Sequence, residues 1–344
     1  MYKEAYTDLP FSVGKSLYVA IPPFIIYGLC ESIYAALAFG LKAEMTPYVS
    51  ETTLFDDVGK YDFATAAPIH YRYMYNKLVE LQGAKKETVM RKKLSRVKCF
   101  ISGGDKITVQ ELLRMQQFFE VPIINGYGNN ELTGGAVISP VYASKPDSVG
   151  IPMKDIIVTS FDINTYENLE NGNEGEICIK SDSIFECYLK NEDETERVKQ
   201  LHSDGAYWIH TGDLGYIDED GYVYITGRTK RLIKREAFKI APDTIENLIM
   251  TVENVRDCVV VGVPDTEHEG SQVPMAYVEV DLEGALECNT TIEKIRQKCV
   301  DELPDYEVPK YIEVIEKIPY KNTKHNFKLL EAMGNKYIES LVEE

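Results

Sequence analysis

Short apolar runs alternate with helix-forming stretches along the first third of the chain, and this alternation constrains the fold more than any other feature. Leu17-Tyr-Val-Ala-Ile21 is closed by Pro22-Pro23 and predicts a buried strand. Cys30 to Phe39 predicts a helix that stops at Gly40. A helix near 69–82, a strand at Val97–Ile101, a helix near 108–119 and a strand at Pro122–Asn125 follow. Such order is that of a mostly parallel α/β sheet. From Val149 to Ile225 the texture changes to short β-rich runs (Ile156–Phe161, Gly175–Ile179, Tyr222–Thr226) between Asn/Gly/Asp turns, which predicts a barrel-like or sandwich-like antiparallel module. After Gly227, helices at Thr244–Thr251 and Thr291–Leu303 and strands at Val255–Val263, Ala276–Val280 and Tyr311–Ile315 predict a small α+β domain, with its boundary near Arg228–Arg231. The expected division is thus 1–148, 149–228 and 229–344.

Charge removes one class of function. With 37 Lys+Arg against 55 Asp+Glu the net charge is −18, so a binder that tracks nucleic-acid phosphates is excluded, while a small anionic ligand held by a local basic cluster is not. The cysteines at 30, 99, 178, 187, 258, 288 and 299 are scattered and never spaced as CxxC, which is neither a disulfide framework nor a zinc site. They read as small buried hydrophobes of a reducing compartment, and a cytoplasmic location is expected. Met1 to Asp8 carries no basic segment ahead of an apolar run, so no leader is expected there. The apolar stretch Leu17–Leu41 holds Pro22, Pro23 and Glu31. A carboxylate at mid-membrane costs about 2.5–3.5 kcal/mol, so the stretch is expected to pack inside the protein rather than cross a bilayer.

Several familiar signatures fail. Val13-Gly14-Lys15-Ser16 ends like a P-loop, but Leu9 stands where that motif needs glycine, and an exposed loop is expected. GxSxG, HExxH and GxGxxG do not occur, and His202, His210, His268 and His325 are not spaced as a metal site. Four other segments carry chemistry. Asn125-Gly-Tyr127-Gly-Asn-Asn-Glu131 follows a predicted strand, where its glycines permit a sharp bend at the end at which α/β sheets hold ligands. Tyr127 offers a flat face for a base and Glu131 an oxygen for a hard cation. The second segment is His210-Thr-Gly-Asp213-Leu, followed by a hairpin and Gly227-Arg228; the third is Lys230 to Glu246; the fourth runs from Pro309 through Pro319 to Lys324 and Lys328.

In this order the four segments resemble the adenylate-forming superfamily of acyl-CoA synthetases, luciferases and peptide-synthetase adenylation domains. Residues 22–29 are similar to that family's aromatic segment, and Ser102-Gly103-Gly104 to its strand-end turn. The resemblance implies an ATP-dependent conversion of a carboxylic acid, fatty or other, to an acyl-adenylate, then transfer to a thiol. Lys239-Ile-Ala-Pro242 with Ile245-Glu246 looks like the CoA-ligase variant. By the same resemblance Tyr127 stacks on adenine, Gly103 and Gly104 pass its edge, and Gly128 and Asn130 belong to the nucleotide site. Glu131 holds Mg²⁺, Asp213 takes the ribose hydroxyls, and Arg228 fixes ribose and phosphate. Lys230 is the hinge of a mobile small domain, and Lys324 neutralises charge as the carboxylate attacks the α-phosphate. Lys234, Arg235 and Ala237 fall at the CoA site, in a basic run with Lys230, Arg231 and Lys239 that suits a 3′-phosphate.

The family pattern is also broken in places. Its Gly/Ser/Thr-rich phosphate loop, expected ahead of residues 22–29, is absent, so a truncated synthetase is expected. Asn130 stands where Thr is usual, Ile25 for a gating His, Ala237 for Gly, and Thr323 for the Gly before Lys324. Two other readings stay open: delivery of the acyl group to a carrier-protein thiol, and a non-catalytic nucleotide-binding relative.

Overall fold

The computed structural model describes residues 11–45, 52–81, 83–141, 143–268, 270–280, 288–321 and 324–343. The readings made on Met1–Asp8, Leu9 and Thr323 therefore lie outside the described residues. The chain divides into two compact units, one of residues 1–211 and 215–225, the other of residues 212–214 and 226–344.

The first unit is built on a seven-stranded sheet. Its strands are β1 (Ser16–Val19), β2 (Lys42–Met45), β3 (Phe63–Ala66), β4 (Cys99–Ser102), β5 (Ile123–Asn129), β6 (Gly134–Ile138) and β7 (Ile151–Pro152), in the order β2-β1-β3-β4-β5-β6-β7. Pairing is parallel from β2 through β5 and antiparallel from β5 to β7. β1, β3 and β4 are buried at every position, as strands covered on both faces must be. Alternation sorts their side chains. Leu17, Val19 and Phe63 enter one core with Ile101, Ala136, Ile177 and Ile209, whereas Tyr18, Ala20 and Ala64 enter another with Tyr71, Met74, Phe100 and Phe119.

Local chemistry explains the helices. Pro at its first turn starts the helix Pro68–Val79. Thr108 and Glu111 form a reciprocal capping box on the helix Val109–Phe119. Gly40, at φ 66°, ends the short helix Ala35–Phe39 as expected, but the segment before it, Tyr27–Tyr34, is a π-helix rather than an α-helix.

The expected β-rich module is a five-stranded sheet of β8 (Ile157–Phe161), β9 (Gly175–Lys180), β10 (Lys199–Leu201), β11 (Tyr207–Ile217) and β12 (Val223–Arg228). β11 is long enough to pair with β10, β9 and β12, and it carries the whole Thr211-Gly-Asp-Leu214 segment. Asp218 makes the turn into β12, its Oδ1 accepting from the amides of Asp220 and Tyr222.

In the second unit, β13 (Ile233–Arg235) and β14 (Phe238–Ile240) form a hairpin, and β15 (Val255–Pro264), β16 (Gln272–Val280) and β17 (Tyr311–Val314) a three-stranded sheet. Helices Pro242–Ile249 and Cys288–Glu302 cover one face with Cys258, Val260 and Ala276; helix Phe327–Glu343 covers the other with Val259, Val261 and Tyr277. A short hairpin of β18 (Tyr320–Lys321) and β19 (Lys324–His325) precedes that last helix.

One buried ion pair joins two helices of the first unit. Arg72 binds Glu111 through both guanidinium and carboxylate edges, with Nη2 to Oε2 at 3.1 Å, and their side chains are 12% and 2% exposed. Glu111→Ala strands the Arg72 charge in the interior and removes half the capping box, so urea unfolding is expected to show a loss of about 3–5 kcal/mol. A loss below about 1 kcal/mol, the scale of an exposed pair, contradicts this account.

Candidate functional site

The first unit gathers the aromatic segment 22–29, the turn Gly103-Gly104 and the segment 125–131 at the ends of β4 and β5. Tyr27 donates its hydroxyl to the Ile101 carbonyl at 2.8 Å, which lays its ring over the turn after β4. A Cβ on Gly103 would stand 3.4 Å from Tyr27 Cζ and 3.3 Å from the Gly126 carbonyl oxygen, and one on Gly104, at φ 83°, 3.5 Å from the same ring. Burial first, then the nearby Glu31 carboxylate, raises the Tyr27 phenol far above its usual range, so it stays a donor. Glu31 is itself buried and accepts from the Gly135 amide at 2.8 Å.

The segment 125–131 makes no sharp turn at its glycines, only a register shift between Tyr127 and Gly128. Gly126, Tyr127 and Gly128 continue β5 as far as Asn129, paired with β6. Gly128 is needed for another reason: a Cβ there would lie 2.0 Å from the Gly134 carbonyl oxygen, so only glycine lets the two backbones approach. Tyr127 is half-buried and packs on the core beneath, while Gly128 and Asn130 are exposed. The real turn is the 3₁₀ helix Asn130–Leu132, capped by Asn129 Oδ1 on the Leu132 amide at 3.1 Å. It carries Glu131, whose carboxylate accepts the Tyr188 hydroxyl and whose carbonyl accepts the Phe185 amide at 2.7 Å. The Tyr188 phenol is held far above its usual range, by burial first and by this bond second. An oriented carboxylate oxygen of this kind suits a hard cation that draws its other ligands from phosphates and water. Tyr188 gave no signal in the sequence, because it lies 57 residues from its partner.

A further group in this unit escaped the spacing argument. Glu176 and Cys178 are alternate residues of β9, and His210 lies on β11 in the same sheet. Among the described residues they are grouped closely enough to offer ligand atoms to a metal ion, all within 4.8 Å of one another. Their contacts are those of a hydrogen-bonded chain: His210 Nδ1 is 2.8 Å from Glu176 Oε2 and 3.4 Å from Cys178 Sγ, and His210 Nε2 is 2.9 Å from His202 Nε2.

In the second unit Asp213 is buried and takes the Arg228 Nε–H on Oδ1, while the Arg228 side chain is 58% exposed. Thr229 ties this pair down by donating to the Gly212 carbonyl at 3.0 Å, where Gly212 has φ 72°. The basic run divides. Arg231 turns inward to Asp243 at 3.3 Å, to Glu246 and to the Val260 carbonyl, and its guanidinium lies 4.2 Å from the Phe327 ring centroid. Arg235 donates to the carbonyls of Asp305 and Tyr306 at 3.3 and 2.8 Å. Lys230 is exposed in the 3₁₀ turn Thr229–Arg231. Lys234 and Lys239 are both exposed and sit directly opposite each other across β13 and β14. In the connecting turn Glu236, not Ala237, takes the positive φ of 52°, so Ala237 is conformationally ordinary. Lys324 is exposed on β19.

A model of the AMP-binding enzyme family matches residues 2–189, and one of the AMP-binding enzyme C-terminal domain matches 244–324. A probable 4-coumarate–CoA ligase of Dictyostelium discoideum is 30% identical over 262 residues, 76% of this chain and 45% of its own length. An oxalate–CoA ligase of Arabidopsis thaliana is 27% identical over 314 residues, 89% of this chain and 57% of its own. The chain thus spans about half the length of these curated relatives. The crystal structure of an anthranilate CoA ligase, AuaEII, in complex with anthranoyl-AMP superposes with a TM-score of 0.83 at 18% identity, over 97% of this chain and 62% of that one. Among the described residues no helix is long and apolar enough to cross a membrane.

The histidine pair gives a pH test. Burial first, and His210 second, lower the His202 pKa below its ordinary 6.5. The unfolded chain then takes up a proton that the folded one resists, so the His202 contribution is intact above about pH 6.5 and is lost as pH falls below it. Urea unfolding at a series of pH values is expected to lose more stability between about pH 7 and 5 in wild type than in His202→Gln. Parallel curves for the two proteins would refute the assignment. On the match to more than half of its length, and on an order of motifs that runs through both units, the chain belongs to the AMP-binding enzyme family.

Proposed function

We propose that this chain serves an AMP-forming acid–thiol ligase, which activates a carboxylic acid with ATP and passes the acyl group to CoA. The observation that carries this reading is the position of Asp213 and Arg228. They fall between the two family matches, in a segment neither one covers, and supply a buried acceptor beside an exposed cation. A nucleoside monophosphate needs that combination: the carboxylate accepts both ribose hydroxyls and the guanidinium meets the phosphate.

The other roles follow from chemistry at each position. Tyr127 presents its face to adenine and Gly103-Gly104 leave room at the ring edge. Glu131, oriented by Tyr188, holds Mg²⁺, which when bound offsets charge on the phosphates. Asn130 is an amide where a hydroxyl is usual and contributes a donor to the same region. Lys324 meets the charge that builds as the carboxylate attacks the α-phosphate. The domain 229–344 turns about Lys230 to bring Lys324 in for the first half-reaction and remove it for the second. CoA, rather than a carrier protein, is favoured by the Lys234/Lys239 pair, two like charges held face to face that an anionic 3′-phosphate relieves. Ala237 lies in the turn between these lysines, and Arg235 braces it from below.

Pyrophosphate exchange and thioester formation from a supplied acyl-adenylate separate these roles. Lys324→Ala is expected to cripple exchange while sparing transfer, because the charge it meets is gone once the adenylate exists. Asp213→Ala is expected to weaken both, and to lower AMP affinity in calorimetry by about one to two decades, the equivalent of a charge-assisted hydrogen bond of about 1.5–3 kcal/mol. Equal losses in the two reactions for Lys324→Ala would reassign its role to Lys321 or Lys328. AMP binding without exchange for any acid would replace the enzyme with a nucleotide-binding relative.

A further inference from the structure

Lys324 stands at the start of β19, on a two-residue strand paired with an equally short partner, Tyr320↔His325 and Lys321↔Lys324. A ladder this small cannot hold a shape in water by itself. What fixes it is the sheet beneath. Asp257 on β15 and Glu279 on β16 are directly opposed across the strand pair. The Tyr320 hydroxyl donates to Asp257 Oδ2 at 2.9 Å, and His325 Nε2 lies 2.9 Å from that same oxygen. Both strands of the hairpin therefore end on one carboxylate atom, with their rings 4.6 Å apart between them. Asp257 Oδ1 accepts its following amide, of Cys258, at 2.9 Å, which sets the carboxylate plane. Glu279 accepts the Ile318 amide at 3.0 Å, and the Pro319 carbonyl accepts the Asn326 amide at 2.8 Å, closing the loop at its base.

We infer that Asp257, through Tyr320 and His325, is the positioning group for Lys324, so that the lysine is delivered from a preformed hairpin rather than a flexible tail. The inference rests on the adenylating role proposed for Lys324. Three features point to positioning rather than to plain stability. Asp257 and His325 are nearly buried, with side chains 10% and 12% exposed, whereas Lys324 is exposed. The bonds go to His325, next to the lysine, and to Tyr320, opposite His325 across the ladder, and not to the lysine's own side chain. Both Asp257 contacts converge on a single oxygen, an arrangement that fixes the angle between two strands. A displacement of about 1 Å in a reacting group costs up to about a hundredfold in rate, so the angle matters to the first half-reaction alone.

The test uses the full chain in two measurements. Amide hydrogen exchange at residues 318–321 and 324–326 reads the strand pair without any need for turnover. Asp257→Ala is expected to raise exchange there, and Tyr320→Phe and His325→Gln to raise it less, with Asp257→Asn restoring part of the protection because one acceptor oxygen remains. Pyrophosphate exchange is then expected to fall in the same rank order, up to about a hundredfold for Asp257→Ala, with KM for ATP little changed and acyl transfer from a supplied adenylate intact. Unchanged amide exchange in all four variants overturns the anchoring. Raised amide exchange with unchanged adenylate formation overturns the positioning role while leaving the anchor in place. A wild type with a protected hairpin that adenylates no acid overturns the ligase reading, and the positioning role with it. Should Asp257→Ala fail to fold, Tyr320→Phe and His325→Gln decide between these outcomes.

Discussion

One backbone carbonyl ties two helices of the first unit to the end of β4. Ile101, at the end of β4, accepts the Tyr27 hydroxyl at 2.8 Å and the Tyr71 hydroxyl at 2.8 Å. Tyr71 belongs to the helix Pro68–Val79 and Tyr27 to the π-helix, so two elements are pinned to the same strand end. Tyr71 is fully buried and Tyr27 half-buried, and desolvation of their hydroxyls holds both as neutral donors. Each bond is one a buried hydroxyl cannot forgo, since leaving either group unpaired would cost about 1–3 kcal/mol. The turn that follows, Gly103-Gly104, inherits its position from this anchor. Its lack of side chains is then a matter of clearance beneath the Tyr27 ring rather than of flexibility.

The parallel core was legible at β1 and β4, where the mostly apolar runs Leu17–Ile21 and Val97–Ile101 stand out without knowledge of neighbours, but not at β3, whose four residues Phe63-Ala-Thr-Ala66 are too short and too weakly apolar to be read. The helix end at Gly40 was legible because a cap is local chemistry, and the same local chemistry at Pro68 and Thr108 went unread. The reading failed where the deciding partner is remote in sequence. Gly126 and Gly128 looked like a sharp bend and instead continue the strand through a register shift after Tyr127, because what demands Gly128 is the backbone of Gly134 across the ladder. Arg231 looked like part of a cationic face and is taken up by Asp243 and Glu246, while Arg235 gives one nitrogen, Nη1, to the carbonyls of Asp305 and Tyr306. The Glu176, Cys178 and His210 group could not be found by spacing, since two of its members share one strand and the third comes from another.

The division of the basic run has a consequence for how an acidic molecule can hold an anion. At a net charge of −18 the long-range field repels a phosphate, so attraction has to come from cations within roughly a Debye length that are not already neutralised nearby. Arginine's planar, weakly hydrated guanidinium is the better partner for buried carboxylates, and here Arg72 and Arg231 fill that structural role. Lysine, compact and strongly hydrated, is left at the surface, as at Lys234, Lys239 and Lys324. Arg228 is the exception that combines both, with one nitrogen on buried Asp213 and most of its side chain in solvent. A guanidinium whose Nε is bonded to a buried carboxylate has its orientation already fixed, so the entropy of ordering it is spent in folding rather than in binding.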